Sequence, residues 1–283
     1  MHQPHPWRDT VDPFKLPLKD FRIEHVLGYP HAGNDVFHAE GVFRGERFRA
    51  YVKVERQCGA DLLNEAQTLA LLPFSFAPPV IEYGKGPPRY LVTAELPGKR
   101  LSQILGENEN LESLAYLAEY GRTLAQFHGL DLARPNVKSR RFFELPDHAF
   151  FEKHGLEKAE AYLLENPPVG ASTCFVHGDC YYANVLWEGE KVSAVLDYEL
   201  SGTGIREFDL AWALVLRPGQ KFLKTAKERE RFLSGYAETL RFSMPALVHY
   251  FLLVSCHFYP LGNEAYQQEI KRILDETILR QSL

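Results

Sequence analysis

The hydrophobic period of this chain changes near residue 98, and that change restricts the folds open to it. Before it, "FRIEHVLGY", "DVFHAEGVF" and "RFRAYVKVE" are short runs rich in Val, Phe and Tyr, punctuated by "HAGND" and "RGE". Such runs read as strands, the last two as a hairpin turning near Arg44-Gly45-Glu46. "DLLNEAQTLALL" is helical instead, with Leu62, Ala66, Leu69 and Leu72 on one face, and "YLVTAEL" is a further strand ended by Pro97-Gly98. Beyond Gly98, Leu114, Leu117, Ala118, Gly121, Leu124, Ala125 and His128 form one helical stripe, with Asn110 as expected N-cap and Gly129 as stop. Further helices are expected around Phe151 to Leu164, Lys224 to Leu240, Pro245 to Phe258 and Glu264 to Arg280. Strands first and helices later mean an α+β fold with two lobes, 1–97 and 98–283, joined near residues 95–99. The polar, proline-rich residues 1–13 are expected to be poorly ordered.

With 283 residues, 45% hydrophobic and 24% charged, the chain suits a globular protein with a full core. A net charge of -5 argues against a nucleic-acid partner. Cys58, Cys174, Cys180 and Cys256 form no C-x-x-C pair, and unpaired thiols fit a reducing cytoplasm. The start lacks the apolar core of a signal peptide, and "ALVHYFLLV" is short for a bilayer span. A soluble cytoplasmic protein without a membrane partner is the expectation.

One stretch, "VHGDCYYANVLWEGEKVSAVLDYE" from Val176 to Glu199, gathers acidic and amide side chains between apolar runs. "NVLW" and "KVSAVLD" flank "EGE" as a hairpin, which would set Asn184 beside Asp197, with Asp179 on the loop entering it. Two carboxylates and an amide oxygen on one rim suit Mg²⁺ holding a phosphate chain, since that hard ion takes one or two carboxylates plus phosphates and waters. Asn184 and Asp197 would be its ligands, and Asp179 would take the proton of an attacking hydroxyl.

Here "HGDCYYAN" followed by "LDYE" resembles the His-Gly-Asp-x-x-x-x-Asn and Asp-x-Glu signature of the aminoglycoside phosphotransferase and choline kinase superfamily, small-molecule relatives of protein kinases. Other segments follow in family order from about residue 21 to 216. "AYVKVE" resembles the strand with the phosphate-binding lysine, and "LLNEAQTLALL" the helix whose glutamate pairs with it. "YLVTAELPG" resembles the adenine hinge, and "REFDLAWAL" the segment whose aspartate braces the catalytic loop. The resemblance implies a protein-kinase-like bilobal fold, with an antiparallel sheet in the N-lobe and a mainly helical C-lobe. It implies ATP and Mg²⁺ as cofactors and a small-molecule hydroxyl as acceptor. Asp179 would be the catalytic base, and Asn184 and Asp197 metal ligands. Glu199 would reach a second metal or orient the Asp197 loop. Lys53, held by Glu65, would contact the α/β-phosphates. Thr93, Ala94 and Leu96 would line the adenine site, and Asp209 would brace the catalytic loop.

The stretch "LGYPHAGNDVFHA" lacks a full G-x-G-x-x-G; Gly33 and Asn34 would still offer backbone N–H groups to phosphate, with Asp35 an awkward neighbour. Only eleven residues, "YELSGTGIREF", separate Asp197 from Asp209, too few to seat a peptide, so no protein substrate is expected. His177 is expected to fill a polar niche, His128 to be a core histidine and Cys180 a passive filler. Two rival classes are a non-catalytic kinase-like protein, whose hallmark would be loss of Lys53, Asp179, Asn184 or Asp197, and a metal-dependent hydrolase using His177, Asp179 and Asp197. All four hallmark residues are present, and the hydrolase leaves the lysine and hinge unexplained. After Asp209 the chain carries ten basic and seven acidic residues. That balance favours an acceptor of low positive charge over a polycationic aminoglycoside, which stands as the alternative acceptor.

Overall fold

A computed structural model describes residues 10–30, 33–56 and 59–283. The chain divides into two compact units: one ends at Gly98 but also takes in Ser193–Leu200, and the other comprises Lys99–Val192 with Ser201–Leu283.

The first unit is built on strands β1 (Phe21–Gly28), β2 (Asp35–Phe43) and β3 (Glu46–Val54), helix α1 (Leu62–Leu69), and strands β4 (Val80–Gly84) and β5 (Tyr90–Ala94). The strands form one antiparallel sheet in the order β1-β2-β3-β5-β4. The β2–β3 hairpin closes over two residues, Arg44 and Gly45, both at positive φ, which matches the twist of paired strands. Alternation sets Ala50, Val52 and Val54 of β3 into a core with Phe37, Ala39, Tyr90 and Val92, and so puts Lys53 on the opposite face. β4 escaped the sequence reading. Residues 1–9 lie outside the described residues, but the expected looseness of 1–13 does not extend to its end. Val11 N–H donates to Asp35 (3.2 Å), and Asp12 caps the turn Pro13–Lys15 through Phe14 N–H (3.1 Å).

The second unit begins with β6 (Lys99–Arg100), α2 (Leu101–Leu105), α3 (Leu114–His128), α4 (His148–His154), α5 (Glu157–Glu165), β7 (Thr173–Val176) and β8 (Val185–Glu188). After β9 (Lys191–Val195), where the chain passes into the first unit, come β10 (Gly202–Ile205), α6 (Arg206–Leu214), α7 (Ala226–Ala237), α8 (Met244–Phe258) and α9 (Glu264–Arg280). α3 and α7 pack backbone to backbone: a Cβ on Gly121 would stand 2.0 Å from Phe232 O, and one on Gly235 1.9 Å from Ala118 O. Asn110 is not the cap of α3. It lies at φ 54 in the turn Glu109–Leu111, and α3 starts after Ser113, whose hydroxyl donates to Glu228 (2.7 Å). The single helix expected over 151–164 is two helices, because Gly155 takes a left-handed cap (φ 61) after α4. Met244–Leu261 meets the length and composition of a membrane span (mean hydropathy 1.2), which the nine-residue apolar run did not reveal. Its side chains from Ala246 to Cys256 are nearly all buried within the unit, as in a core helix.

Candidate active site

Lys53 reaches from β3 into a group of three carboxylates within the first unit. Its Nζ lies 2.8 Å from Glu65 Oε2, 2.9 Å from Asp197 Oδ1 and 3.7 Å from Glu199 Oε1. Glu65 stands in the first turn of α1, whose N-terminus is capped by Asp61 accepting from Asn64 N–H (2.9 Å). Burial would lower the Lys53 pKa, but Glu65, Asp197 and Glu199 outweigh it and hold the ammonium above the ordinary lysine range. Burial also pushes the Glu65 carboxyl up, against the pull of Lys53 and with the help of Asp197 and Glu199. The oxygens of Glu65, Asp197 and Glu199 lie within 4.8 Å of one another. One ammonium against three carboxylates leaves a donor set that fits a hard divalent cation. Exposure separates their roles. Glu65 is 4% exposed and committed to Lys53, whereas Asp197 is 37% exposed.

Glu199 ties two segments together. It accepts from Asp61 N–H (3.2 Å) and from Asn34 Nδ2 (2.5 Å), while its backbone carbonyl accepts from Asn64 Nδ2 (3.0 Å). These bonds fix the Asp197 segment to the N-terminus of α1. Asn34 Oδ1 accepts from Arg56 N–H (3.3 Å), and Gly33 takes φ 98. His31 and Ala32 of the same loop lie outside the described residues. Asp35 is less awkward than its sequence position implied. It is fully buried and accepts from Tyr29 OH (2.6 Å), Val11 N–H and Arg56 Nη1 (3.0 Å). In the expected adenine hinge, Thr93 and Ala94 end β5, and half-buried Leu96 follows. The Ala94 N–H already donates to Pro79 O (2.9 Å), so it is not free to meet a base.

In the second unit the antiparallel β7–β10 pair sets the start of α6 against the loop after Val176. Asp209, in the first turn of α6, accepts from His177 N–H (3.1 Å), Gly178 N–H (3.0 Å) and His128 Nε2 (3.1 Å). Burial raises its pKa, but the His128 bond leads the contacts that bring it below the ordinary carboxylate value. His128 is buried, as expected, and also meets Tyr236 OH (2.8 Å). His177 is buried against Phe127 and accepts the Asp179 N–H on Nδ1 (3.2 Å). Asp179 itself accepts from Trp212 Nε1 on Oδ1 (2.7 Å) and from Asn184 Nδ2 on Oδ2 (3.1 Å). Asn184 Nδ2 also donates to the Asp179 carbonyl (3.0 Å). Asn184 and Asp197, expected side by side, belong to different units. Cys180 is fully buried and burial pushes its thiol pKa far up, which suits a filler.

Sequence reasoning missed Trp212 and Arg140. Trp212 lies three residues after Asp209 on one helix, the spacing that puts two side chains on one face, so its position carried a signal. Arg140, whose Nη2 donates to Gly178 O (2.8 Å), carried none.

Over residues 55–247 the chain matches the phosphotransferase enzyme family. It is 27% identical over 207 residues to an aminoglycoside 3'-phosphotransferase of Niallia circulans, across 66% of this chain and 75% of that protein. It superposes with TM-score 0.56 on the streptomycin-ATP-APH(2")-IIa ternary complex, at 15% identity, covering 89% of this chain and 92% of that one. The choline kinase of Cryptosporidium parvum gives TM-score 0.56 at 15% identity, covering 97% of this chain and 96% of that one. At such identities the likeness shows the fold, which is protein-kinase-like and α+β as the resemblance implied.

Proposed function

Because this chain belongs to the phosphotransferase enzyme family, we propose that it moves the γ-phosphate of ATP to a hydroxyl of a small molecule in the cytoplasm, with magnesium. The observation that carries this reading is the Lys53 ammonium held between Glu65 and Asp197 (2.8 and 2.9 Å). A phosphate chain needs a fixed positive charge, and this pairing supplies one with an accessible carboxylate beside it. Two solved relatives support it by their own contents, one binding ATP with streptomycin and one being a choline kinase.

In this reading Lys53, positioned by Glu65, contacts the α/β-phosphates. The backbone of Gly33 and Asn34 lies against the phosphates, and Thr93, Ala94 and Leu96 against adenine. Asp197, oriented by Glu199, is the magnesium ligand that the first unit offers, and the Asn184 amide oxygen the one that the second unit offers. When bound, magnesium supplies neutralisation of phosphate charge. Asp179 accepts the proton of the acceptor hydroxyl. As the acceptor oxygen bonds to the γ-phosphorus, the bond to the β–γ bridging oxygen breaks and its electron pair leaves with ADP. The hydrolase reading is disfavoured because it leaves the Lys53–Glu65 pair without a purpose.

The test is turnover of labelled ATP with magnesium against hydroxylated small molecules. Asp179→Asn should lower kcat at least about a hundredfold at unchanged ATP affinity, the scale of general-base catalysis. Near-normal turnover by a clean preparation of that variant would refute the assignment.

A further inference from the structure

Arg217 follows α6 and is 7% exposed. Its Cζ lies 3.9 Å from the Phe258 ring centroid, 4.5 Å from that of Trp212 and 5.7 Å from that of Tyr181. Nη2 donates to the Trp212 carbonyl (2.9 Å), whereas Nη1 is buried without a hydrogen-bond partner among the described residues. Burial brings its pKa down to about 10, which leaves it charged at neutral pH, and Asp179 leads the groups that resist the fall. Arg140 lies with its Cζ 4.6 Å from the same Trp212 ring and donates to Gly178 O. So the indole that bonds the Asp179 carboxylate is shared by two guanidinium groups.

An arginine closing an aromatic core needs no unpaired N–H. Leaving a charged donor buried and unpaired costs free energy that a leucine or methionine would avoid. The donor therefore points to a ligand that supplies an acceptor atom. Guanidinium is suited to planar or tetrahedral oxyanions, which it meets through paired N–H groups.

We propose that the acceptor molecule carries an oxyanion, a carboxylate or a phosphate monoester, that pairs with Arg217 Nη1 while its hydroxyl lies at Asp179. This rests on the phosphotransferase reading and narrows it. Arg140 adds to the positive field around Asp179, so an acceptor bearing several ammonium groups is disfavoured there.

The experiment measures binding to the full chain by calorimetry, with magnesium and a non-hydrolysable ATP analogue at saturation. The probes are glycerol, D-glycerate, glycerol 3-phosphate, choline and kanamycin. The expected result is that D-glycerate or glycerol 3-phosphate binds at least tenfold more tightly than glycerol, the better of the two identifying the oxyanion. Arg217→Met should erase that preference, and Arg217→Lys should restore part of it. If Arg217→Met does not fold, half-buried Arg140→Met reads a smaller loss of the same preference. Tighter binding of choline or kanamycin than of either anion overturns the proposal, as does an anion preference that persists in the folded variants. If the ATP analogue itself does not bind, the phosphotransferase reading falls. The same probes without nucleotide then still report whether Arg217 selects an oxyanion.

Discussion

Replacing Asp209 by asparagine keeps the size of the side chain and removes one acceptor edge. Asp209 is 1% exposed and serves three donors: His177 N–H, Gly178 N–H and His128 Nε2. The Gly178 bond goes to Oδ1, and the other two share Oδ2. An amide that keeps its oxygen toward His177 and His128 turns its NH₂ toward Gly178 N–H, so one bond is lost and one donor is left buried. At about 1–3 kcal/mol for a buried donor left unsatisfied, and with the remaining bonds no longer made to a charge, the loss should be about 2–3 kcal/mol. That is a large part of a stability of about 5–15 kcal/mol. The carboxyl has a lowered pKa, so it contributes stability above its ordinary value of 3.8 and loses that contribution as pH falls through the folded-state value. The gap between the two proteins should therefore be full at pH 7 and shrink below about pH 4. Urea unfolding followed by tryptophan fluorescence at both pH values measures it; Trp187 and Trp212 both lie in the second unit. A gap under about 1 kcal/mol at pH 7, or one indifferent to acid, would show that Asp209 does not brace this loop through its charge.

Trp212→Phe removes the 2.7 Å bond to Asp179 and keeps an aromatic ring there. It should lower kcat by about tenfold or more, as expected for a hydrogen bond to a charged acceptor, and steady-state kinetics with unchanged ATP KM would check it. Asp197→Ala should abolish the magnesium dependence of ATP binding in calorimetry, whereas Lys53→Ala should weaken phosphate contact and retain part of the affinity through adenine. Gly235→Ala drives a methyl to 1.9 Å from Ala118 O and should cost about 1–3 kcal/mol or more, read as a Tm several degrees lower. Gly86→Ala, where the added methyl meets nothing within 4 Å, is the matched control in the same melting experiment.

Local chemistry accounts for what the sequence made legible. The β2–β3 hairpin was readable because Arg44-Gly45 joins two alternating runs, and α9 because its helical pattern is bounded by Asn263 and Arg280. Lys53, Glu65, Asp179 and Asp197 were found through ordered motifs. The β7–β10 pair was not, since Gly202 and Gly204 read as loop and their partners precede them by about thirty residues. Trp212 sits in "FDLAWAL", where an aromatic reads as packing, and only the folded loop gives its N–H a target. Arg217 has no acidic neighbour in sequence, and its burial depends on Phe258 from a distant helix. Asp197 and Glu199 read as part of the helical half, yet Ser193–Leu200 groups with the first unit through contacts that chain order does not reveal.

That excursion also bears on biosynthesis. The ribosome finishes Gly98 and must add about a hundred more residues before Ser193–Leu200 exists to join the first unit. At roughly 5–20 residues per second the interval is about 5–20 s. During it the nascent sheet has Glu65 to neutralise Lys53 but not Asp197 or Glu199, and the N-terminus of α1 lacks the Glu199 clasp on Asp61 and Asn64. A fragment stopped at Gly98 should thus be a poor autonomous folder, and one end of α1 would mature late during translation.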